Sequence, residues 1–320
     1  MSRYQRQMIL PQVGPEGQGR LRAARVLVVG AGGLGVPVIQ YLAGAGVGRL
    51  TLIDGDHVEE GNLHRQPLYR MADIGRPKVQ VAAEAIRAIN PDVEVCAEVT
   101  WLAPDTAPGL VAAADLILDC ADTFAASLTL SDVCHAAGKP LLTASALGLQ
   151  GYVAGVCGTA PSLRAIFPNL PASAPTCATA GIFGPVVATM GTMQAQMALS
   201  VLLGLSPSPM GQMIVFDAER WRMVDFRFDD APEPAAPLSF IAASEIRAGD
   251  LVIDLRMEEP YPFRPGALHL PSEALPDLSI APDTARIVLA CRTGLRAHNC
   301  GETLRARWPG DIVLLSLPGG

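Results

Sequence analysis

The 320-residue sequence predicts an α/β protein, a doubly wound, Rossmann-like and mostly parallel sheet followed by a second, smaller α/β unit. Three observations carry that expectation. Short apolar runs alternate with stretches of helical length, a glycine-rich turn follows the first of those runs, and a proline-rich break divides the chain near residue 230.

Arg25-Val26-Leu27-Val28-Val29-Gly30 reads as a strand ending in glycine, Val36 to Ala45 as a helix, and Arg49-Leu50-Thr51-Leu52-Ile53-Asp54 as a second strand, which makes a β-α-β unit. A helix over Lys78 to Ala88 follows, then strands over Val93 to Val99 and Leu116 to Asp119, a helix over Leu128 to Ala137 and a strand over Pro140 to Ala144. The segment from Cys177 to Leu205 carries no charge and is long enough to cross a bilayer, for which about 20 apolar residues suffice. Pro185, Gln194 and Gln196 interrupt it and no basic cluster flanks it, so a buried helix is expected and no membrane. Between Asp229 and Pro237 three prolines and no periodicity indicate a stiff, extended linker. The expected domains are therefore 1–228 and 238–320, joined by 229–237. In the second, Leu251 to Asp254 and Ile287 to Ala290 read as strands, Thr293 to Arg307 as a helix and Ile312 to Leu317 as a last strand.

Half the residues are apolar, enough for a full core, and the net charge of −7 gives no electrostatic case for a nucleic-acid partner. The opening Met1 to Met8 has no apolar run of signal-peptide type, which makes the cytoplasm the expected location. The seven cysteines (Cys96, Cys120, Cys134, Cys157, Cys177, Cys291 and Cys300) are scattered without C-x-x-C spacing, which fits reduced thiols better than disulfides or zinc.

Gly30, Gly32, Gly33 and Gly35 sit in Gly30-Ala31-Gly32-Gly33-Leu34-Gly35, a G-x-G-x-x-G turn between strand and helix. Such glycines permit a tight turn and let backbone N–H groups approach a phosphate at a helix N-terminus. Asp54, ending the next strand, could hold ribose hydroxyls. Alone, the motif suits an NAD-dependent oxidoreductase equally well. The stretch Asp54-Gly55-Asp56-His57-Val58-Glu59-Glu60-Gly61-Asn62-Leu63-His64-Arg65-Gln66, with Gly75-Arg76-Pro77-Lys78 after it, favours ATP. Arg65 and Lys78 are cations suited to a triphosphate, and Asp122 in Asp119-Cys120-Ala121-Asp122 could hold Mg²⁺ or, alternatively, cap the following helix.

These segments, together with Arg3-Tyr4-Gln5-Arg6-Gln7, Pro175-Thr176-Cys177-Ala178 and the Gln194 region, resemble the ThiF, MoeB and HesA family, bacterial relatives of the ubiquitin-activating enzymes. The resemblance implies adenylylation, with ATP and Mg²⁺, of the C-terminal glycine of a ubiquitin-like sulfur-carrier protein with a Gly-Gly tail, of ThiS or MoaD type, for thiamine-thiazole or molybdopterin synthesis. It implies that Asp54, Asp56, Gly61, Asn62, Leu63, His64, Arg65, Lys78, Asp122 and Thr123 bind Mg-ATP, and that Arg6 reaches into the site of a second subunit of a homodimer. Arg65, Lys78 and the metal at Asp122 would be the main electrostatic groups. Two departures stand out. Ser127 occupies the position of a family arginine, and the paired cysteines of the family's zinc site are missing at Ser162 to Ala165 and at 229–237, so no zinc is expected and packing should stabilise that region.

Cys291-Arg292-Thr293-Gly294-Leu295-Arg296 follows an apolar strand and opens a helix, a position that lowers a cysteine's pKa and holds an anion. The C-x-x-x-x-R spacing, with Asp254-Leu255-Arg256 before it and Leu317-Pro318-Gly319-Gly320 after it, resembles a rhodanese domain. That resemblance implies Cys291 as persulfide carrier, Arg292 and Arg296 as its support, and a sulfur donor of cysteine-desulfurase type as a further partner. By the first resemblance Cys177 corresponds to a cysteine used in sulfur or acyl transfer; a small buried thiol is the competing reading. A scaffold that binds the carrier without adenylylating it is the non-enzymatic alternative.

Overall fold

The computed structural model describes residues 3–173 and 177–317, with side chains except at 177 and 178. Strands β1 (Arg25–Val29), β2 (Arg49–Ile53), β3 (Glu94–Glu98), β4 (Leu116–Asp119) and β5 (Pro140–Leu147) run parallel in the order β3-β2-β1-β4-β5. Their side chains alternate between two apolar layers. Val26, Val28, Leu50, Leu52, Leu116 and Leu118 face one, while Leu27, Val29, Ile53 and Ile117 face the other. Both faces are covered, which is why these strands read as unbroken apolar runs.

The helices are α1 (Gln5–Met8), α2 (Gly14–Ala23), α3 (Gly35–Ala45), α4 (Lys78–Ile89), α5 (Ala107–Ala112), α6 (Phe124–Ala137), α7 (Leu163–Ile166), α8 (Cys177–Ala180), α9 (Gly184–Leu203) and α10 (Leu295–Arg305). Helices α3, α4 and α9 cover the first layer, α5 and α6 the second. Ile39 and Leu42 of α3 are fully buried, each contributing roughly 1.5–3 kcal/mol.

The uncharged segment is interrupted early. Gly181, at φ +75°, follows α8, Ile182 bridges to Gly148, and α9 begins only at Gly184 with Pro185 in its first turn. Helix α9 is long and apolar enough to cross a bilayer, and here it packs on α3, β5 and β6. Gln194 explains the polar interruption, since its Nε2 donates to the carbonyls of Asp119 (2.8 Å) and Leu142 (2.9 Å) and ties α9 to β4 and β5.

Beyond β5 the sheet continues through antiparallel β6 (Gln150–Cys157), β7 (Gln212–Asp217) and β8 (Arg222–Arg227), which the sequence did not signal. The reason is local: β6 contains glycines where alternation is needed, and β8 is exposed along its whole length. Helix α6 starts at Phe124, four residues before the expected Leu128, because the Thr123 hydroxyl accepts from Ala126 N (3.3 Å) and caps it. Asp122 is thus not the cap.

The second sheet is parallel, with β9 (Leu251–Asp254), β10 (Leu268–His269), β11 (Arg286–Cys291) and β12 (Asp311–Ser316) in the order β10-β9-β11-β12. Ile253, Leu289, Cys291 and Leu314 share one face and one apolar cluster with Leu304 of α10, and also with Ala125 and Leu128 of α6 and Leu163 of α7. The two sheets are therefore sewn together by a common core. Polar contacts reinforce it: Ala125 N donates to Thr293 O (3.0 Å), Ser244 Oγ to Asp105 Oδ2 (3.0 Å) and Asn299 Nδ2 to Pro171 O (2.8 Å).

Where the zinc-binding cysteines of the family would lie, Glu233 accepts from both the backbone N (2.6 Å) and the hydroxyl (2.5 Å) of Ser162. Buried Arg164 holds Asp132 with two hydrogen bonds (2.6 and 2.9 Å) and donates to Leu238 O (2.9 Å). Ser162 to Ala165 are buried, as the expected packing requires, and charge-assisted hydrogen bonds add to it, fastening Glu233 of the linker to the cap of α7 and α7 to α6.

Candidate functional site

A cavity of about 980 Å³ opens at the carboxyl ends of β1, β2 and β4, where a doubly wound sheet places its ligand. Gly30, Gly32, Gly33, Asp54, Asp56, Asn62, Arg65, Lys78, Asp122 and Thr123 all line it. The glycine turn is needed on steric grounds. Gly30 has φ +98°, and a Cβ there would lie 2.4 Å from Cys120 O. A Cβ on Gly35 would lie 2.0 Å from Gly30 O, so this glycine works behind the wall, letting α3 approach the turn. Gly33 packs on Val187 of α9, and Gly184 packs on His64 O, where a Cβ would come within 2.5 Å. The segment carrying Arg65 is thereby wedged between the glycine turn and α9.

Asp54 braces the turn. Its two carboxylate oxygens accept from Ala31 N (2.7 Å) and Asp56 N (2.8 Å), and Tyr69 donates its phenol to Ala31 O (2.6 Å). Burial pushes the Asp54 carboxyl above its ordinary range, against the opposing pull of the Ala31 N–H and Lys78. Lys78, almost fully buried at its side chain, is paired with the more exposed Asp56. Arg65 donates to Asn62 Oδ1 (2.8 Å) and Gly61 O (3.0 Å), which hold its guanidinium at the cavity. Asp122 is exposed at the cavity wall, one residue before the α6 cap.

Besides Gly35, four expected nucleotide contacts lie elsewhere. Leu63 packs with Val36, Val58, Tyr69 and Val81 in a satellite cluster. His64 is outside the cavity wall, its Nε2 2.9 Å from Arg65 Nη1, and Gly61 contributes its carbonyl to Arg65. Arg6 is exposed in α1, which is tied through Gln7 to Ala45 O at the far end of α3. Eleven residues of helix place it about 16 Å from the glycine turn, so within one chain it does not reach the site.

Residues that the sequence did not single out complete the wall. Gln66 is 2% exposed, and its Oε1 has no partner among the described residues although its Nε2 reaches Asn62 Oδ1 (3.4 Å). Thr100 to Asp105 line one side. From the second α/β unit come Phe240 to Ser244, Arg256, Thr293 and Leu315 to Leu317. A nucleotide fits this cavity: the start of α3 and the side-chain-free backbone of Gly30, Gly32 and Gly33 line it, Gln66 with its orphaned buried amide oxygen is part of its wall, and its size is at the upper end of small-molecule sites. Among the described residues no group of three or more His, Cys, Asp or Glu could hold a metal by itself, so Mg²⁺ at Asp122 would need phosphate oxygens and water as its other ligands.

Cys291 ends β11, 2% exposed, with Gly294 N (3.2 Å) and Ala297 N (3.3 Å) donating to its sulfur. Burial nevertheless pushes the thiol up, outweighing those N–H groups and Arg296, which corrects the expected lowering. The arginines are also engaged differently. Arg292 pairs with Glu259, and Arg296 with Glu258 (3.1 Å) and the Leu255 carbonyl. Arg256 is held by Asp254 (2.9 Å), and Asp254, despite burial, lies below the usual carboxylate range because of Arg256 and the N–H of Phe263. Cys177 opens α8, its side chain outside the described residues, as are Gly319 and Gly320.

The ThiF family profile matches residues 4–237. The chain is 44% identical over 228 residues to the "Sulfur carrier protein adenylyltransferase" of Thermus thermophilus, covering 68% of this chain and 83% of that protein. It is 48% identical over 211 residues to "Adenylyltransferase and sulfurtransferase uba4" of Aspergillus niger (62% and 44% covered) and 45% over 228 residues to "Adenylyltransferase and sulfurtransferase MOCS3" of Bos taurus (70% and 50%). The chain aligns with half or less of the length of these last two. The crystal structure of E. coli MccB with ATP has the same fold, with a TM-score of 0.62 at 21% identity, covering 73% of this chain and 74% of that one. With almost three quarters of its length matched by the profile, the chain belongs to the ThiF family.

Proposed function

We propose that this chain is an adenylyltransferase that activates the C-terminal glycine of a ubiquitin-like sulfur-carrier protein with ATP and Mg²⁺. The observation that carries the reading is the placement of the glycine turn, Asp54, Arg65, Lys78 and Asp122 on one cavity wall. The name of the Thermus thermophilus relative supports the substrate class. Bound ATP would supply the electrophilic α-phosphate and a pyrophosphate leaving group, with Mg²⁺ at Asp122 offsetting phosphate charge. The chain's own part is positioning and charge stabilisation. Asp54 holds the turn through Ala31 N, leaving the other N–H groups of the turn for the phosphates that would lie there, and Arg65 and Lys78 bring positive charge to the same cavity. A carboxylate is already ionised near neutral pH, so the carrier's tail needs no general base.

The second α/β unit, read as rhodanese-like, would hand on sulfur through Cys291. The N–H groups of Gly294 and Ala297 support that reading, and the names of the fungal and bovine relatives agree with it. Its loop abuts the first turn of α6, next to Asp122, so activation and sulfur transfer would share one chamber. Ile9 and Leu10, both exposed beside Arg6, support a homodimer in which Arg6 enters the partner's site. The free thiols of the described cysteines favour the cytoplasm.

The test offers ThiS-like and MoaD-like carriers separately, with ATP, Mg²⁺ and hydroxylamine. A hydroxamate at the terminal glycine of one carrier, found by mass spectrometry and missing from a carrier without that glycine, is the expected result. Saturating ATP with no hydroxamate on either would overturn the reading.

A further inference from the structure

We propose that Trp101 stacks on the base of the bound nucleotide and sets the preference for a purine. The inference rests on the ATP reading of the cavity. Trp101 lies on the segment that leaves β3, lines the cavity and is 40% exposed. Its neighbour Leu102 packs into the apolar layer under α6, whereas Trp101 is in none of the apolar clusters. The indole instead lies on the backbone of Gly55. A Cβ built there would be 2.7, 2.7 and 2.9 Å from ring atoms Cε2, Nε1 and Cδ2, and near-equal approach to three adjacent ring atoms is contact with a ring face. One face is thus covered by the residue that follows Asp54, and the rest of the ring borders the cavity.

The strand order turns this into an alignment. Along β4-β1-β2-β3 the carboxyl ends present Asp122, the glycine turn, Asp54 and Trp101 in sequence. Neighbouring strands are about 4.8 Å apart, so about 10 Å separates the β1 turn from the segment after β3. A nucleotide with its phosphates on the turn and its ribose at Asp54 carries its base to that segment. A large, half-exposed aromatic ring there offers a π-face, which favours the wider ring system of a purine over a pyrimidine.

The test uses the full chain with Trp221→Phe and Trp308→Phe, so that Trp101 is the only fluorophore of its kind. ATP should quench it, and inorganic tripolyphosphate should not. In pyrophosphate exchange, Trp101→Ala should raise KM for ATP roughly ten- to hundredfold, the loss typical of a stacked base, with kcat nearly unchanged. Trp101→Phe should recover most of that loss, and the preference for ATP over CTP should collapse only in the alanine variant. Equal quenching by tripolyphosphate, or an alanine variant with unchanged KM, overturns the inference alone. A parent chain that binds no ATP overturns the nucleotide reading and this inference with it.

Discussion

Replacing Asp119 by Asn probes the electrostatics behind the cavity wall. Asp119 ends β4, is fully buried, and accepts from Thr143 Oγ1 (2.8 Å), Ala121 N (3.2 Å) and the Ser127 hydroxyl. Burial outweighs these donors and pushes its carboxyl from an ordinary 3.8 up to about 6. A raised carboxyl pKa means that the fold favours the neutral acid. Its contribution to stability is fully present below the unfolded-state value and is lost as pH rises through about 6. The rise from 3.8 to about 6 corresponds to about 3 kcal/mol at full ionisation, most of it lost between about pH 4 and pH 7.5. Asn mimics the neutral form at all pH values. The stability of wild type minus that of Asp119→Asn should therefore fall by about 2 kcal/mol over this range, measured by urea unfolding with divalent cations chelated. A difference independent of pH would refute the assignment of burial as the dominant effect.

Other substitutions test separate parts of the structure. Gly35→Ala forces a Cβ to within 2.0 Å of Gly30 O and should lower stability by about 1–3 kcal/mol and weaken ATP binding; a variant with wild-type melting and ATP titration would contradict the steric role. Glu233→Ala leaves the buried N–H and hydroxyl of Ser162 without their acceptor and should cost about 1–3 kcal/mol in chemical denaturation; an unchanged midpoint would remove the clasp from the account. Because burial raises its pKa, Cys291 should be alkylated by iodoacetamide at neutral pH more slowly than exposed Cys96, as read by peptide mass mapping; faster modification of Cys291 would show that its thiolate is the favoured form.

The sequence was most legible where structure is set locally. The β1-α3-β2 unit has apolar runs of strand length, a glycine turn and a helix, and it formed within a residue of the expected bounds. Strands β6 to β8 were hidden because glycines break the apolar pattern of β6, β6 meets β7 only across the whole α7–α9 segment, and β8 has no buried face. In the site, Gly30, Gly33, Asp54, Arg65, Lys78 and Asp122 were found by motif and converge as expected. Leu63 was not separable from them, since a motif marks a segment and not the direction of each side chain. The sign of the Cys291 shift depends on burial against Ala125 and Leu128, more than 160 residues earlier in the chain, and the arginines beside it are claimed by Glu258 and Glu259 across a loop. Gln66 and Trp101 carry no signal of their own; only the folded wall shows that they face the cavity.

ATP–pyrophosphate exchange by the purified chain, with ThiS-like and MoaD-like carriers supplied one at a time and Asp122→Ala as control, tests the central claim most directly. Exchange that requires one carrier and its terminal glycine, and that disappears in Asp122→Ala, is the predicted result. Carrier binding without exchange, with ATP and Mg²⁺ saturating, would contradict it and leave a carrier-binding scaffold in its place.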